Sequence, residues 1–135
     1  MVKQAIRWIP AVVWMAVIFA LSHQSGDELG TLLPFFQRWF PAMQSFNAGH
    51  FAAYFILSLT FYWALLPRSL TWGGKGIVLL LCLLYGLSDE YHQSFVADRT
   101  PDIMDWRNDG IGAALALAIL SIPAVSRYVS KRFLP

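Results

Sequence analysis

Six of the chain's eight carboxylates, Asp89, Glu90, Asp98, Asp102, Asp105 and Asp109, fall within the 27 residues from Gly86 to Gly112, beside His92, Arg99 and Arg107. Their spacing is that of helix faces. Asp89 and Gln93 are four apart and Glu90 and Gln93 three apart, so each acid can share a face with the amide; Asp105 and Asp109 are again four apart. Carboxylates held in fixed pairs suit general acid–base work, with Glu90 or Asp89 as the base. Arg99 is the natural anchor for a phosphate or carboxylate, because its planar fork binds two oxygens at once. Upstream, His50, Tyr54 and Ser58 follow one another at steps of four and share a face, which offers His50 as an acid or orienting group. There is no G-x-S-x-G elbow, P-loop or dinucleotide fingerprint, and nothing marks Ser88 or Ser94 as a nucleophile. His23, His92 and the acids are potential metal donors, but no metal-ligand spacing appears, so neither metal nor cofactor is assigned.

What positions these groups follows from the rest of the chain. It is 57% hydrophobic and 13% charged, about half the charged fraction of a soluble domain. Its 135 residues make one domain, 1–135, too small to bury that much apolar surface from water. The solvent is therefore lipid. A net charge of +2 without a basic cluster argues against nucleic acid, and the single Cys82 excludes an intramolecular disulfide.

Apolar runs place transmembrane helices at about 5–22, 46–66, 74–93 and 101–122. The third and fourth apolar runs, 77–87 and 111–125, are too short to cross alone. Their helices are therefore predicted to extend into the charged segment, one through Asp89, Glu90 and Gln93, the other starting at Thr100-Pro101-Asp102 with Thr100 as cap. A secretory signal is a competing reading of the first run, with Ala20-x-Ser22 as its cleavage site. Bulky Trp14, Met15 and Phe19 inside it, and three more apolar segments after it, favour an uncleaved helix. In the loop that follows, Ser25-x-x-Glu28 matches a capping box. The stripe Leu32, Phe35, Phe36, Trp39, Phe40 and Met43 reads as a short interfacial helix, broken by Pro34 and Pro41. The fold class is thus all-α, a polytopic four-helix transmembrane bundle with an interfacial helix in its first external loop.

Lys3 and Arg7, then Arg68 and Lys75, then Arg127, Lys131 and Arg132 mark the cytoplasmic side, so both termini are expected there. Ser22-His23-Gln24, the segment Asn47–Tyr54 and the whole acidic stretch then converge on the external face. Burial at this depth works against charged carboxylates, while Arg99, Arg107 or His50 would favour them. Blander readings fit the same residues: interhelical polar contacts that only hold helices together, and solvated Asp98, Asp102 and Arg107.

SDEYHQSF, followed by Arg99-Thr100-Pro101-Asp102 and then D-x-x-x-D-x-x-G, resembles the signature of VanZ-like membrane proteins, roughly DExxQxF, an Arg, then D-x-x-x-N-x-x-G. HFAAYFILSL resembles that family's second-helix motif and LSHQS the polar end of its first helix; the likeness covers about residues 8 to 120. It implies that Asp89, Glu90, Gln93, Phe95, Arg99, Asp105 and Gly112 take the patterned positions, and His50 and Tyr54 those of the second motif. The departures are Asp109 in place of Asn, Ala97-Asp98 in place of Pro-Gly, and Phe46-Asn47 in place of an acid–Lys pair, so no role for that Lys transfers. The resemblance also implies a protein of the bacterial cytoplasmic membrane and cell envelope, linked to resistance against glycopeptide antibiotics of the teicoplanin type; it supplies no molecular activity.

The functional expectation is action on a membrane lipid or lipid-linked envelope precursor at the outer leaflet. His50, Asp89, Glu90, Gln93, Asp105 and Asp109 would carry the chemistry, and Gln24, Tyr54, Phe95 and Arg99 would hold the substrate. Two alternatives use the same residues: a non-enzymatic module that binds or moves a lipid or amphipathic drug, and a structural partner in a membrane complex. The sequence names no protein partner.

Overall fold

Where the surroundings offer no water, backbone N–H and C=O groups must pair within their own segment, and helices are the result. The computed structural model describes residues 2–38, 41 and 47–133, and among these no strand occurs. The helices are α1 (Val2–Ile6), α2 (Ile9–Ser22), α3 (Gly26–Gln37), α4 (Asn47–Ala64), α5 (Trp72–Gln93), α6 (Ile103–Ser121) and α7 (Pro123–Phe133), with a 3-10 turn (Arg68–Leu70) before α5.

Local chemistry sets the boundaries. The capping box forms reciprocally, Ser25 N–H donating to Glu28 Oε2 at 2.9 Å and Glu28 N–H to Ser25 Oγ at 3.2 Å, and starts α3. Thr71 Oγ1 accepts from Gly74 N–H at 3.0 Å and starts α5. The start of α6 differs from the expected one. Asp102, not Thr100, is the cap, accepting from Met104 N–H at 2.8 Å, and Pro101 lies outside the helix. Pro34 also behaves otherwise than expected, since α3 continues through it to Gln37. At 12 residues α3 is still only about 18 Å long and cannot cross a bilayer. Of the aromatic stripe, Phe35 is exposed on α3, while the side chains of Leu32, Phe36, Trp39, Phe40 and Met43 lie outside the described residues. The stretch anticipated as a basic tail is the helix α7, turned 80° from α6 at the Ile122-Pro123 step.

Among the described residues, two segments are long and apolar enough to cross a membrane, Gln4–Ser22 and Trp72–Gln93, and α6 with α7 would make a third if that bent pair is one span. The exterior is unlike that of a protein in water. Large apolar side chains point outward: Val12, Val13 and Val17 on α2, Leu80, Leu84 and Leu87 on α5, Ile111, Leu115 and Ile119 on α6. The interior mixes large apolar side chains, among them Leu57, Phe61 and Val78, with small and polar ones such as Ser58, Cys82, Ala113 and Ala116. Small interior residues under a greasy exterior are the signature of helices packed in lipid. This is a membrane protein.

Helix α4 packs against α2, α5 and α6, most extensively against α6. Indole and phenol groups tie the bundle by donating to backbone carbonyls across helices: Trp14 to Ala53 O at 2.8 Å, Tyr85 to Met15 O at 2.6 Å, Trp106 to Leu83 O at 2.9 Å. The two ends are chemically opposite. At one, Arg7 donates to Leu66 O at 2.9 Å beside the Trp63 ring, and Lys75 donates to Ser121 Oγ at 2.8 Å beside the Trp72 ring. At the other, the acids gather.

Candidate functional site

The acidic end is organised by His50, on the first turn of α4. Its Nδ1 lies 2.8 Å from Asp109 Oδ1 and its Nε2 3.6 Å from Asp105 Oδ2, so the i, i+4 pair of α6 grips one imidazole. Asp109 is fully buried and His50 partly so. From α5, Asp89 Oδ2 accepts from Ser22 Oγ at 2.9 Å and from Gln93 Nε2 at 3.2 Å, and Gln93 Oε1 in turn accepts from Arg99. Glu90 Oε2 accepts from the backbone N–H of Asp102 at 2.8 Å. Four helices therefore contribute side chains within one layer: Ser22 from α2, His50 from α4, Asp89, Glu90 and Gln93 from α5, Asp105 and Asp109 from α6.

The helices come this close because three glycines remove side chains from the seams. A Cβ on Gly112 would run into the Phe51 carbonyl oxygen, so α4 and α6 touch backbone to backbone there. A Cβ on Gly86 would lie 2.7 Å from Asp109 Oδ2 and 3.2 Å from Trp106 Cδ1, so this glycine makes the room that Asp109 occupies. Gly26, which opens α3, has the same relation to the Asp98 carbonyl at 2.5 Å, and so the loop between α5 and α6 settles on the start of α3.

In that loop Asp98 has φ of 57°, a left-handed conformation that glycine adopts without steric cost. Asp98 stands where the resembled pattern has Gly. Asp98→Gly is expected to stabilise the protein by about 0.5–1 kcal/mol, allowing for the extra chain entropy of glycine. Thermal unfolding in detergent checks this; a lowered midpoint would mean that the Asp98 side chain itself holds the loop.

Two cavities meet at the cluster. One, about 90 Å³, is lined mostly by apolar atoms from Ile18, Leu21, Ala53 and Tyr54, with His50, Asp89 and Arg99 among its walls. The other, about 240 Å³, is polar and lined by His50, Gln93, Asp98, Arg99, Asp102 and Asp105. His50 and Arg99 belong to both. Tyr54 is 1% exposed and its hydroxyl has no hydrogen-bond partner, an unspent donor at the apolar cavity.

Of the residues singled out from the sequence, His50, Asp89, Glu90, Gln93, Asp105 and Asp109 come together, with Arg99 and Tyr54 at the cavities. Gln24 does not join them. Its amide reaches back to Ala20 O at 3.4 Å on its own helix, and Ser22 makes the contact to Asp89 instead. Phe95 is 73% exposed and stacks edge-on with Tyr91 at 5.2 Å, away from the cluster. Arg107 is exposed and donates to its neighbour Asn108. His23 and His92 pair with each other, Nδ1 to Nε2 at 3.2 Å, separately from His50. Ser22 and Gly86 were not anticipated as site residues. For Ser22 the available signal was its place at the polar end of the first apolar run; for Gly86 there was none, because what it accommodates lies on another helix.

A family model described as VanZ/LLP1 matches residues 7–124. The chain is also similar to an uncharacterized protein of the fission yeast Schizosaccharomyces pombe, 37% identical over 73 residues that make up 52% of this chain. The match spans 43% of the length of that relative, less than half. No solved structure matches.

Proposed function

The chain belongs to the VanZ/LLP1 family, and from that premise we propose that it is a four-span membrane protein acting on a lipid or lipid-linked envelope component at the outer leaflet. The spans are α2 with its preceding turn, α4, α5 and α6, with both termini on the cytoplasmic side of a bacterial inner membrane. The supporting observation is that His50 and Arg99 stand at the junction of an apolar and a polar cavity, ringed by four acids. That is the shape of a site for an amphiphile, tail on one side and headgroup on the other.

Within this reading Arg99 holds an anionic headgroup oxygen and Tyr54 donates a further hydrogen bond. Glu90, pinned through Oε2 and with a free Oε1, takes a proton. A water that loses its proton to Glu90 bonds to the headgroup, and as the bond to the departing oxygen breaks His50, fixed by Asp109, gives that oxygen a proton. Proteoliposomes made with total envelope lipid, followed by mass spectrometry, test it. A lipid product formed by the wild type and reduced at least 100-fold in E90Q and R99A is expected. Unaltered lipid composition in wild-type vesicles would remove the enzymatic reading. In cells, the corresponding expectation is heightened glycopeptide susceptibility when Glu90 or Arg99 is replaced at normal protein abundance.

A second reading draws on the chain of hydrogen bonds Arg99–Gln93–Asp89–Ser22, which holds Arg99 at the cavity junction, where it can bind a headgroup without any chemical step. A transporter of lipid or amphipathic drug would use it. The same vesicles separate the two readings, because transport moves the lipid between leaflets without altering it.

The orientation is checked by cysteine labelling. A Cβ at Gly30 or Gly73 meets nothing within 4 Å, and Ala97 is exposed, so cysteines at these sites disturb little. The native Cys82 is fully buried and stays silent. Gly30→Cys and Ala97→Cys are expected to react with an impermeant maleimide from outside and Gly73→Cys only after lysis; the opposite pattern would overturn the proposed orientation.

A further inference from the structure

We propose that His50, Asp89 and Glu90, with Asp105 beside them, form a binding site for one divalent transition-metal ion. One ring nitrogen of His50 and one carboxylate oxygen each from Asp89 and Glu90 lie within 4.8 Å of one another, on two helices whose backbones are fixed independently of any ion. Converging donors of this spacing can close on a single cation by small rotations of their side chains.

Three further observations point to a cation. Glu90 is 94% buried, being 6% exposed, yet its Oε1 has no hydrogen-bond partner; Asp105 Oδ1 likewise is buried and unpartnered. The backbone N–H of Asp102 holds Glu90 by Oε2, which leaves Oε1 as its available ligand atom. The charges also do not balance. Among the described residues, His50 is the sole Lys, Arg or His side chain with a nitrogen within 4 Å of any of the four carboxylates; Arg99 donates to Gln93 instead. Four carboxylates around one imidazole, removed from water, call for protons or for a cation, and a divalent ion neutralises two of them at once.

The imidazole is also prepared for the role. Asp109 Oδ1 stands 2.8 Å from Nδ1; with the ring donating to that carboxylate, Nε2, 3.6 Å from Asp105 Oδ2, is the nitrogen left to ligate an ion. A carboxylate behind a histidine is the usual way of fixing the tautomer and orientation of a metal ligand. Because one donor is nitrogen and the others are carboxylate oxygens, the ion belongs to the Mn²⁺, Fe²⁺ or Zn²⁺ group rather than to Ca²⁺ or Mg²⁺, which prefer oxygen alone. An ion can bind whether or not a lipid is turned over, and with it bound Glu90 and His50 serve as its ligands instead of as the proton-transfer groups.

Purified protein in detergent, stripped with a chelator and titrated with Mn²⁺ alone under electron paramagnetic resonance, tests it. One Mn²⁺ per chain is expected, with Kd weakened at least tenfold in E90Q and D89N. Both changes remove a buried charge and keep the side-chain shape, so the variants should fold, as far-UV circular dichroism would verify. The wild-type thermal midpoint should rise with Mn²⁺ and that of E90Q should not. The H23A/H92A double variant controls for the second histidine pair and is expected to bind as the wild type does. Absence of bound Mn²⁺, equal affinity in E90Q, or loss of binding in H23A/H92A alone would each overturn the site.

Discussion

Replacing His50 by Ala is expected to lower the unfolding free energy by about 3–5 kcal/mol, the typical cost of stranding one partner of a buried pair. Asp109 is 0% exposed, and among the described residues its side chain makes one hydrogen bond, the 2.8 Å contact to His50 Nδ1. Without the imidazole that carboxylate sits in a low dielectric with no counterpart, wedged against Gly86. The double variant H50A/D109N should recover most of the loss, because it leaves no charge to bury, and yet should remain inactive. Equilibrium unfolding in mixed micelles measures both. If H50A stayed within about 1 kcal/mol of the wild type, the pair would not be the keystone of the acidic layer, and the non-additivity expected of contacting residues would be absent.

Gly112→Val is expected to be at least as damaging, by a route that involves no charge. The added Cβ would meet the carbonyl oxygen of Phe51, with the carbonyl carbon and Cα of the same residue at 3.0 Å. All of these are backbone, so relief requires α4 as a whole to move away from α6, and the His50 grip on Asp105 and Asp109 would go with it. A loss of about 3 kcal/mol or more, or failure to yield folded protein, is expected. Gly110→Ala provides the contrast. There the new atom meets one methyl of Leu83 at 3.0 Å, the end of a flexible side chain, and the cost should stay below about 1 kcal/mol. Equal effects at the two positions would mean that α4 and α6 are not in backbone contact at Gly112.

Much of this site was legible before any fold was known, because helical spacing is a local property. Steps of three and four placed Asp89 and Glu90 on a face with Gln93, and Asp105 on a face with Asp109, and the shortness of the apolar runs 77–87 and 111–125 pulled those residues into helices. What was not legible depends on which helix stands opposite. Gln24 and Ser22 are two residues apart on the same apolar run, and only the rotation of α2 against α5 decides that Ser22 reaches Asp89. Phe95 follows the helix end by two residues, and the turn there sends it outward. The cap of α6 moved from Thr100 to Asp102 because two carboxyl-bearing residues do the local work: Asp102 takes the Met104 amide while its own amide goes to Glu90. The turn at Pro123 was foreseeable from the proline; that the basic residues beyond it would continue as a helix was not.

The bond between His50 and Asp109 joins residues 59 positions apart. At about 5–20 residues per second, roughly 3 to 12 s of translation separate the moment the ribosome adds the histidine from the moment it adds its partner. Through that interval α4 waits with its polar first turn unanswered and the groove for Gly112 empty. The acidic layer is thus completed late, and no nascent fragment ending before Asp109 can hold it.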